Sequence, residues 1–204
     1  MSLTTYTELK TTIANYMART DLTAQIPDFI RFAEIRMRRE VRIRQIMKMT
    51  TLTATAGTAT INIPSDFLEA RDFIVNTNPA QPLTYASPSA FSRNTRTTEN
   101  GKPLDYTILA TQFQFAPVPD SNYSLKLLHY FTPTFLDDSN ASNEFLVNVP
   151  DLLLYASLLE AEPYMMNDAR VSTWGAMYEK GLAALVKSDE SAQYSGVPLA
   201  IKVV

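Results

Sequence analysis

The stretch "IPDFIRFAEIRMRREVRIRQIMKMTTLTATAGTATINIP", residues 26–64, changes its period halfway along. Up to Val41 the apolar residues keep helical spacing. At about 100° per residue, Ile26, Phe29, Ile30, Ala33, Met37 and Val41 fall on one side. Pro27 suits the first turn, where a missing N–H costs nothing. From Met47 the chain turns threonine-rich, with apolar residues at alternate positions, and Ala56-Gly57 is placed to turn a hairpin. A helix that gives way to strands predicts an α+β chain.

Outward from this stretch the pattern is symmetrical. Upstream, Thr5-Tyr6-Thr7-Glu8 reads as a capping box, followed by Tyr6, Leu9, Ile13, Tyr16 and Met17 on one helical face as far as about Thr20. Downstream, "ARDFIVNT", "PLTYAS", "DYTILATQFQFAPVP" (with a tight turn near Ala110-Thr111) and "NYSLKLLHYFT" read as strands. Ser87 caps a brief helix to Phe91, and "NTRTTENGKP" reads as a polar loop. Residues 133–149 read as a loop. Helical pattern returns at Pro150 with "DLLLYASLLEAE", apolar nearly all round and therefore expected between neighbours. Pro163 kinks or ends it. Asn167 or Asp168 caps a last helix with Val171, Trp174, Tyr178, Leu182 and Leu185 as its stripe. The expected organisation is a helical bundle from N- and C-terminal helix pairs (1–46 and 133–190), a central, mostly antiparallel β insertion (47–132) and an extended arm (191–204).

The helical half of the opening stretch also concentrates arginine. Arg31, Arg36, Arg38, Arg39, Arg42 and Arg44 are six of the eleven in the chain, yet the net charge is −3. Residues 31–48 carry a local charge of about +5 and residues 131–204 about −6. That polarity suits association with itself or with a charged partner, since complementary patches set register and encounter rate. On the helix, Arg31, Arg38 and Arg42 cluster opposite the apolar stripe with Arg39 beside them, so the basic stripe is expected to face outward. Glu34 precedes Arg38 by four, the favoured orientation for an ion pair of about 0.3–0.5 kcal/mol. Solvation of a polar face and contact with an acidic surface or phosphates are both open readings; arginine's planar fork favours contact.

Other chemistry is poorly supplied. The chain has no cysteine and one histidine, His129, inside a strand pattern. A typical zinc site and a serine–histidine triad both lack their parts. No glycine-built phosphate loop occurs. Glu160 and Glu162 are two apart on a helix and point in different directions, so they do not form a facing carboxylate pair. No cofactor is expected. The opening residues lack a leader's basic and apolar regions, and no apolar run approaches the roughly 18 residues of a membrane span. The aromatic strand residues alternate too cleanly for a single-strand nucleic-acid groove.

Three stretches carry a family likeness: "DLTAQIPDFIRFAEIRMRREVR" (21–42), "INIPSDFLEARDFIVNTNPAQPLTYASPSAF" (61–91), and "PDLLLYASLLEAEPYMMNDARVSTWGAMYEKGLAAL" (150–185) followed by "YSGVPL" (194–199). In this order the chain resembles the adaptor, or head-to-tail connector, proteins of tailed bacteriophages, related to tail tubular protein A of short-tailed phages. The resemblance implies a structural virion protein without catalytic activity, assembled in the host cytoplasm. It implies a dodecameric ring that joins the portal to the tail nozzle and lets phage DNA pass without sequence-specific binding. It also implies a terminal segment that reaches toward the portal, here with Leu199, Ile201, Val203 and Val204 as its apolar residues. In such a ring, Arg31, Arg38, Arg39 and Arg42 are expected to meet Glu160, Glu162, Asp189 or Glu190 across each seam, or to meet the portal. Other neck or tail components, a tail-borne glycosidase using Glu160 and a DNA packaging factor are the competing readings.

Overall fold

Thr5 opens the first helix as its capping box requires. Its hydroxyl accepts the Glu8 N–H at 3.3 Å, and the Glu8 carboxylate accepts the Thr5 N–H at 3.2 Å. The computed structural model describes residues 3–165 and 169–194, with seven helices and ten strands among them. In chain order these are α1 (Tyr6–Met17), α2 (Ile26–Glu40), β1 (Met47–Ala54), β2 (Thr60–Asn62), β3 (Phe67–Val75), β4 (Gln81–Pro82), β5 (Thr84–Tyr85), α3 (Pro88–Phe91), β6 (Asn100–Gly101), β7 (Asp105–Leu109), β8 (Gln112–Ala116), β9 (Val118–Pro119), β10 (Tyr123–Phe131), α4 (Glu144–Asn148), α5 (Pro150–Glu160), α6 (Glu162–Met165) and α7 (Arg170–Tyr194). The class is α+β. The chain divides into two compact units, Met1–Ile46 with Pro133–Val204, and Met47–Thr132.

In the discontinuous unit, α5 is the hub, packed by α1, α2, α4 and α7. Its residues Leu152, Leu153, Leu154, Ala156, Ser157 and Leu158 are buried, which suits a helix apolar nearly all round. The α2 stripe is buried as the spacing predicts. Three boundaries differ from expectation. α1 stops at Met17 because Ala18 takes the left-handed conformation (φ 54°) and its N–H turns back to the Asn15 carbonyl. Residues 133–149 are not all loop, since Asn143 caps α4 through its side chain. α7 continues to Tyr194; Ser191-Ala192-Gln193 carry no breaker, and Gly196 and Pro198 come later. The expected caps Asn167 and Asp168 and the apolar residues Leu199, Ile201, Val203 and Val204 lie outside the described residues.

The continuous unit is a pair of four-stranded sheets, ordered β1-β10-β3-β4 and β2-β8-β7-β5, with a small β6-β9 pair. Most pairings are antiparallel; β5 with β7 and β6 with β9 are parallel. Phe73, Phe113, Phe115, Tyr106, Leu125 and Leu127 fill the core, and Phe73 meets three other rings at 5.1–5.8 Å in edge-on geometry. β7 and β8 form a hairpin whose turn places Ala110 at φ 52°. The hairpin expected at Ala56-Gly57 does not form: β1 pairs with β10 and β2 with β8, so the turn carries the chain from one sheet to the other. His129 is buried, bonded through Nε2 to the Thr50 hydroxyl at 3.0 Å and through Nδ1 to the Tyr130 carbonyl at 3.1 Å. Both ring nitrogens are therefore engaged within the unit. Among the described residues no helix is long and apolar enough to cross a membrane.

The contact of α7 with α5 is close at Gly181, where a Cβ would stand 2.7 Å from Cδ2 of the buried Leu152. Gly181→Val forces two more carbons into that space and is expected to cost about 1–3 kcal/mol. Urea unfolding checks this; an unchanged midpoint refutes the close contact.

Candidate functional site

α2 carries its arginines into the unit that also contains the returning segment 133–143, and most of them find partners there. Arg31 lies with its guanidinium carbon 3.1 Å from the centre of the Phe135 ring, and Arg38 lies 3.2 Å from the same centre. Two planar cations at that distance cannot share one face, so Phe135 is clasped between them. Residues seven apart reach both faces because they stand about two helical turns apart along one side. Arg38 also donates to the Pro133 carbonyl, and burial holds it below the usual arginine value.

Beneath the clasp sits Glu34, 1% exposed. Its carboxylate accepts the Leu136 N–H at 3.1 and 3.3 Å and the Asn143 side-chain amide at 2.6 Å. The same Asn143 amide donates to the Thr134 carbonyl at 2.9 Å, and its oxygen caps α4 at the Leu146 N–H at 3.0 Å. Glu34 thus serves the returning segment, and the pair expected with Arg38 is replaced by these bonds. The signal for burial was present in the spacing: Glu34 falls four after Ile30 and three before Met37, inside the apolar stripe. Burial pushes its pKa up to about 7, against the opposing pull of the Leu136 N–H, the Asn143 amide and the charges of Arg38 and Arg31.

The C-terminal end of α2 is similarly engaged. Arg42 donates to the Arg38 and Val41 carbonyls at 2.9 and 2.8 Å, satisfying helix-end acceptors. Arg36 binds Glu160 of α5 through Nε at 2.7 Å. Glu40 accepts the buried Tyr178 hydroxyl of α7 at 2.5 Å, and burial, reinforced by this bond, raises the tyrosine pKa. Asp189 of α7 is 6% exposed and accepts the Arg44 N–H at 3.1 Å.

Of the residues expected at a seam, Glu160 and Asp189 therefore have partners in their own chain, and Arg31, Arg38 and Arg42 hold local structure. The basic stripe is not wholly outward. Arg39, Glu162 and Glu190 are exposed and have no hydrogen-bond or ion-pair partner among the described residues. Arg39 borders a groove of about 270 Å³ lined also by Phe32, Ile35, Arg36, Glu40 and Glu160. Phe32 is 54% exposed on its rim. Sequence reading missed Phe32 because it lies off the apolar stripe, and Phe135 because a loop has no period to place it.

Comparison with known families matches residues 4–201 to the family described as SU10 adaptor protein. No curated protein matches the chain.

An acid whose pKa rises on folding stabilises most while protonated, below its unfolded value near 4.5, and that contribution drains away as pH climbs to about 7. Glu34 is expected to make the protein less stable at pH 7.5 than at pH 5, by at most about 3 kcal/mol. Glu34→Gln removes that slope. Thermal melts across this range decide the matter, since parallel profiles for the two proteins sink the assignment. Phe135→Leu forfeits both cation–π contacts at an expected cost of about 1–3 kcal/mol; full retention of stability would mean the clasp is idle.

Proposed function

The chain belongs to the SU10 adaptor protein family, and from that premise we propose that it forms a ring, dodecameric by resemblance, between portal and tail. A structural adaptor of the phage virion associates with other virion proteins; the ring, the portal contact and the tail nozzle contact are the further content of the proposal. So is the kinship with tail tubular protein A. The observation that carries it is the extent of the match, which runs through both compact units and nearly the whole chain. The chemistry is consistent with a scaffold: the conspicuous arginines and carboxylates bind one another and the backbone.

In the ring, each subunit presents one flank to the next and repeats that contact around the axis. The seam we propose sets the exposed groove at Phe32, Ile35 and Arg39 against acidic residues of the next subunit, with Glu190 as the candidate there, since Glu162 follows the groove-lining Glu160 by two residues and borders the same flank. Glu160 lines the groove itself with Arg36, while Arg31, Arg38, Arg42 and Asp189 hold local structure in their own subunit. An exposed ion pair alone is worth about 0–1 kcal/mol, so the apolar contribution of Phe32 is needed beside the charges. DNA passes through the lumen unread; a tight ring of arginines facing it would accumulate phosphate contacts and hold the duplex. The apolar residues Leu199, Ile201, Val203 and Val204, expected at the portal, dock on a neighbouring virion chain, either the portal or the next subunit.

Native mass of the purified protein, alone and mixed with the portal protein of the same phage, tests the reading. A ring that forms alone or on portal supports it; a monomer that ignores portal overturns it. Arg39→Glu is expected to weaken assembly while leaving monomer stability within about 0.5 kcal/mol of the parent, as for most surface substitutions. Arg38→Glu is expected to damage folding itself. Normal assembly of the Arg39 variant removes that residue from the seam.

A further inference from the structure

β1 is the outer strand of its sheet. β10 pairs with it along its whole length, from Met47↔Tyr130 to Ala54↔Tyr123, without a bulge. On its other side no strand pairs with it among the described residues. Such an edge is a template for another strand, and proteins usually guard it with a proline, a bulge or an outward lysine. β1 has no proline, and the irregularities of its sheet lie between β10 and β3 instead. Its one lysine, Lys48, is drawn into an ion pair with Asp66.

The margin beside this edge is also incompletely covered. Leu52 on β1, with Ile61 and Ile63, packs on the core cluster yet remains partly exposed. Met49 is 61% exposed. A strand laid along β1 would need apolar side chains at alternate positions on its inner face and main-chain N–H groups toward β1. In a ring another sheet of this fold does not supply it: the other edge strands β2, β4 and β5 span three, two and two residues, and β1 against a second β1 would pair copies two by two instead of around an axis. The occupant is therefore an extended segment.

Residues 197–203, "VPLAIKV", have the required pattern. Val197, Leu199, Ile201 and Val203 fall at period two, and after Pro198 every residue has an N–H. They lie outside the described residues. We propose that this segment of a second copy of the chain adds as a strand to the open edge of β1. The proposal rests on the ring reading, because a ring brings each edge one segment from a neighbour. It names the virion chain on which Leu199, Ile201 and Val203 dock.

The chain contains no cysteine, so placed thiols report without background. Thr51→Cys on β1 and, separately, Lys202→Cys or Ala200→Cys stand on the outer face, leaving the apolar face intact. Directly opposed residues in paired antiparallel strands stand about 4.5–5.5 Å apart at Cα, inside the span that a disulfide bridges. Mixing the two kinds of chain under mild oxidation is expected to give a covalent dimer containing one of each. Adding Ile201→Asp to the Lys202→Cys chain should remove most of that dimer, and its persistence would count against the inner-face packing. A ring by native mass with neither cysteine pair linked overturns the strand and leaves the ring reading standing. A link confined within doubly substituted single chains overturns the second copy as donor. A chain that stays monomeric both alone and with portal overturns the ring reading, and this inference with it.

Discussion

One buried carboxylate ties the second helix of the discontinuous unit to the segment that returns after the β unit. Glu34 sits in a helix near the start of the chain and holds residues that come after the whole β unit. It accepts the Leu136 N–H and the Asn143 amide, and Asn143 in turn caps α4, which packs on the hub helix α5. Each of these donors is buried, and leaving one unmatched costs about 1–3 kcal/mol. The acid is accepted in that position because three donor contacts and two nearby guanidinium groups offset much of its desolvation. Its raised pKa records the remainder.

That arrangement explains why the helix uses arginine. A ring clasped on both faces needs flat cations, and guanidinium groups are flat while ammonium groups are not. Capping the last carbonyls of α2 needs a donor that can reach back along the helix, as Arg42 does, and positive charge is also favoured at that end by the helix dipole. Linking α2 to α5 uses the Arg36 fork on Glu160. The local excess of positive charge is therefore largely partnered within the subunit, and Arg39 is an exposed member with no hydrogen-bond or ion-pair partner among the described residues.

The periodicities carried a good part of the fold. The capping box at Thr5, the α2 stripe, the all-round apolar α5 and the change to period two at Met47 were legible because each rests on local spacing. What escaped was set by distant partners. Ala56-Gly57 has the residues of a hairpin turn, but β1 and β2 find longer or better partners in β10 and β8. Glu34 satisfied a local rule for pairing with Arg38 and was claimed instead by a segment a hundred residues on. Phe135 gives no sign in the sequence that two arginines will embrace it. For the surface, charge counting located the basic helix but not which of its members were already engaged, since that depends on tertiary contacts.

The placement of the β unit between the two parts of the helical unit has a consequence for how the chain matures. Strand partners in Met47–Thr132 all lie within that continuous segment, so it can close as soon as its last strand is available. The helical unit cannot close then: α2 must wait for the Leu136 amide, for Glu160 and for Asp189, and the loop joining these partners is long. Contacts of high sequence separation form late and slowly. During synthesis the basic helix is therefore made first and left without its carboxylates while the β unit folds, and a newly made chain is at its most adhesive before α5 and α7 arrive.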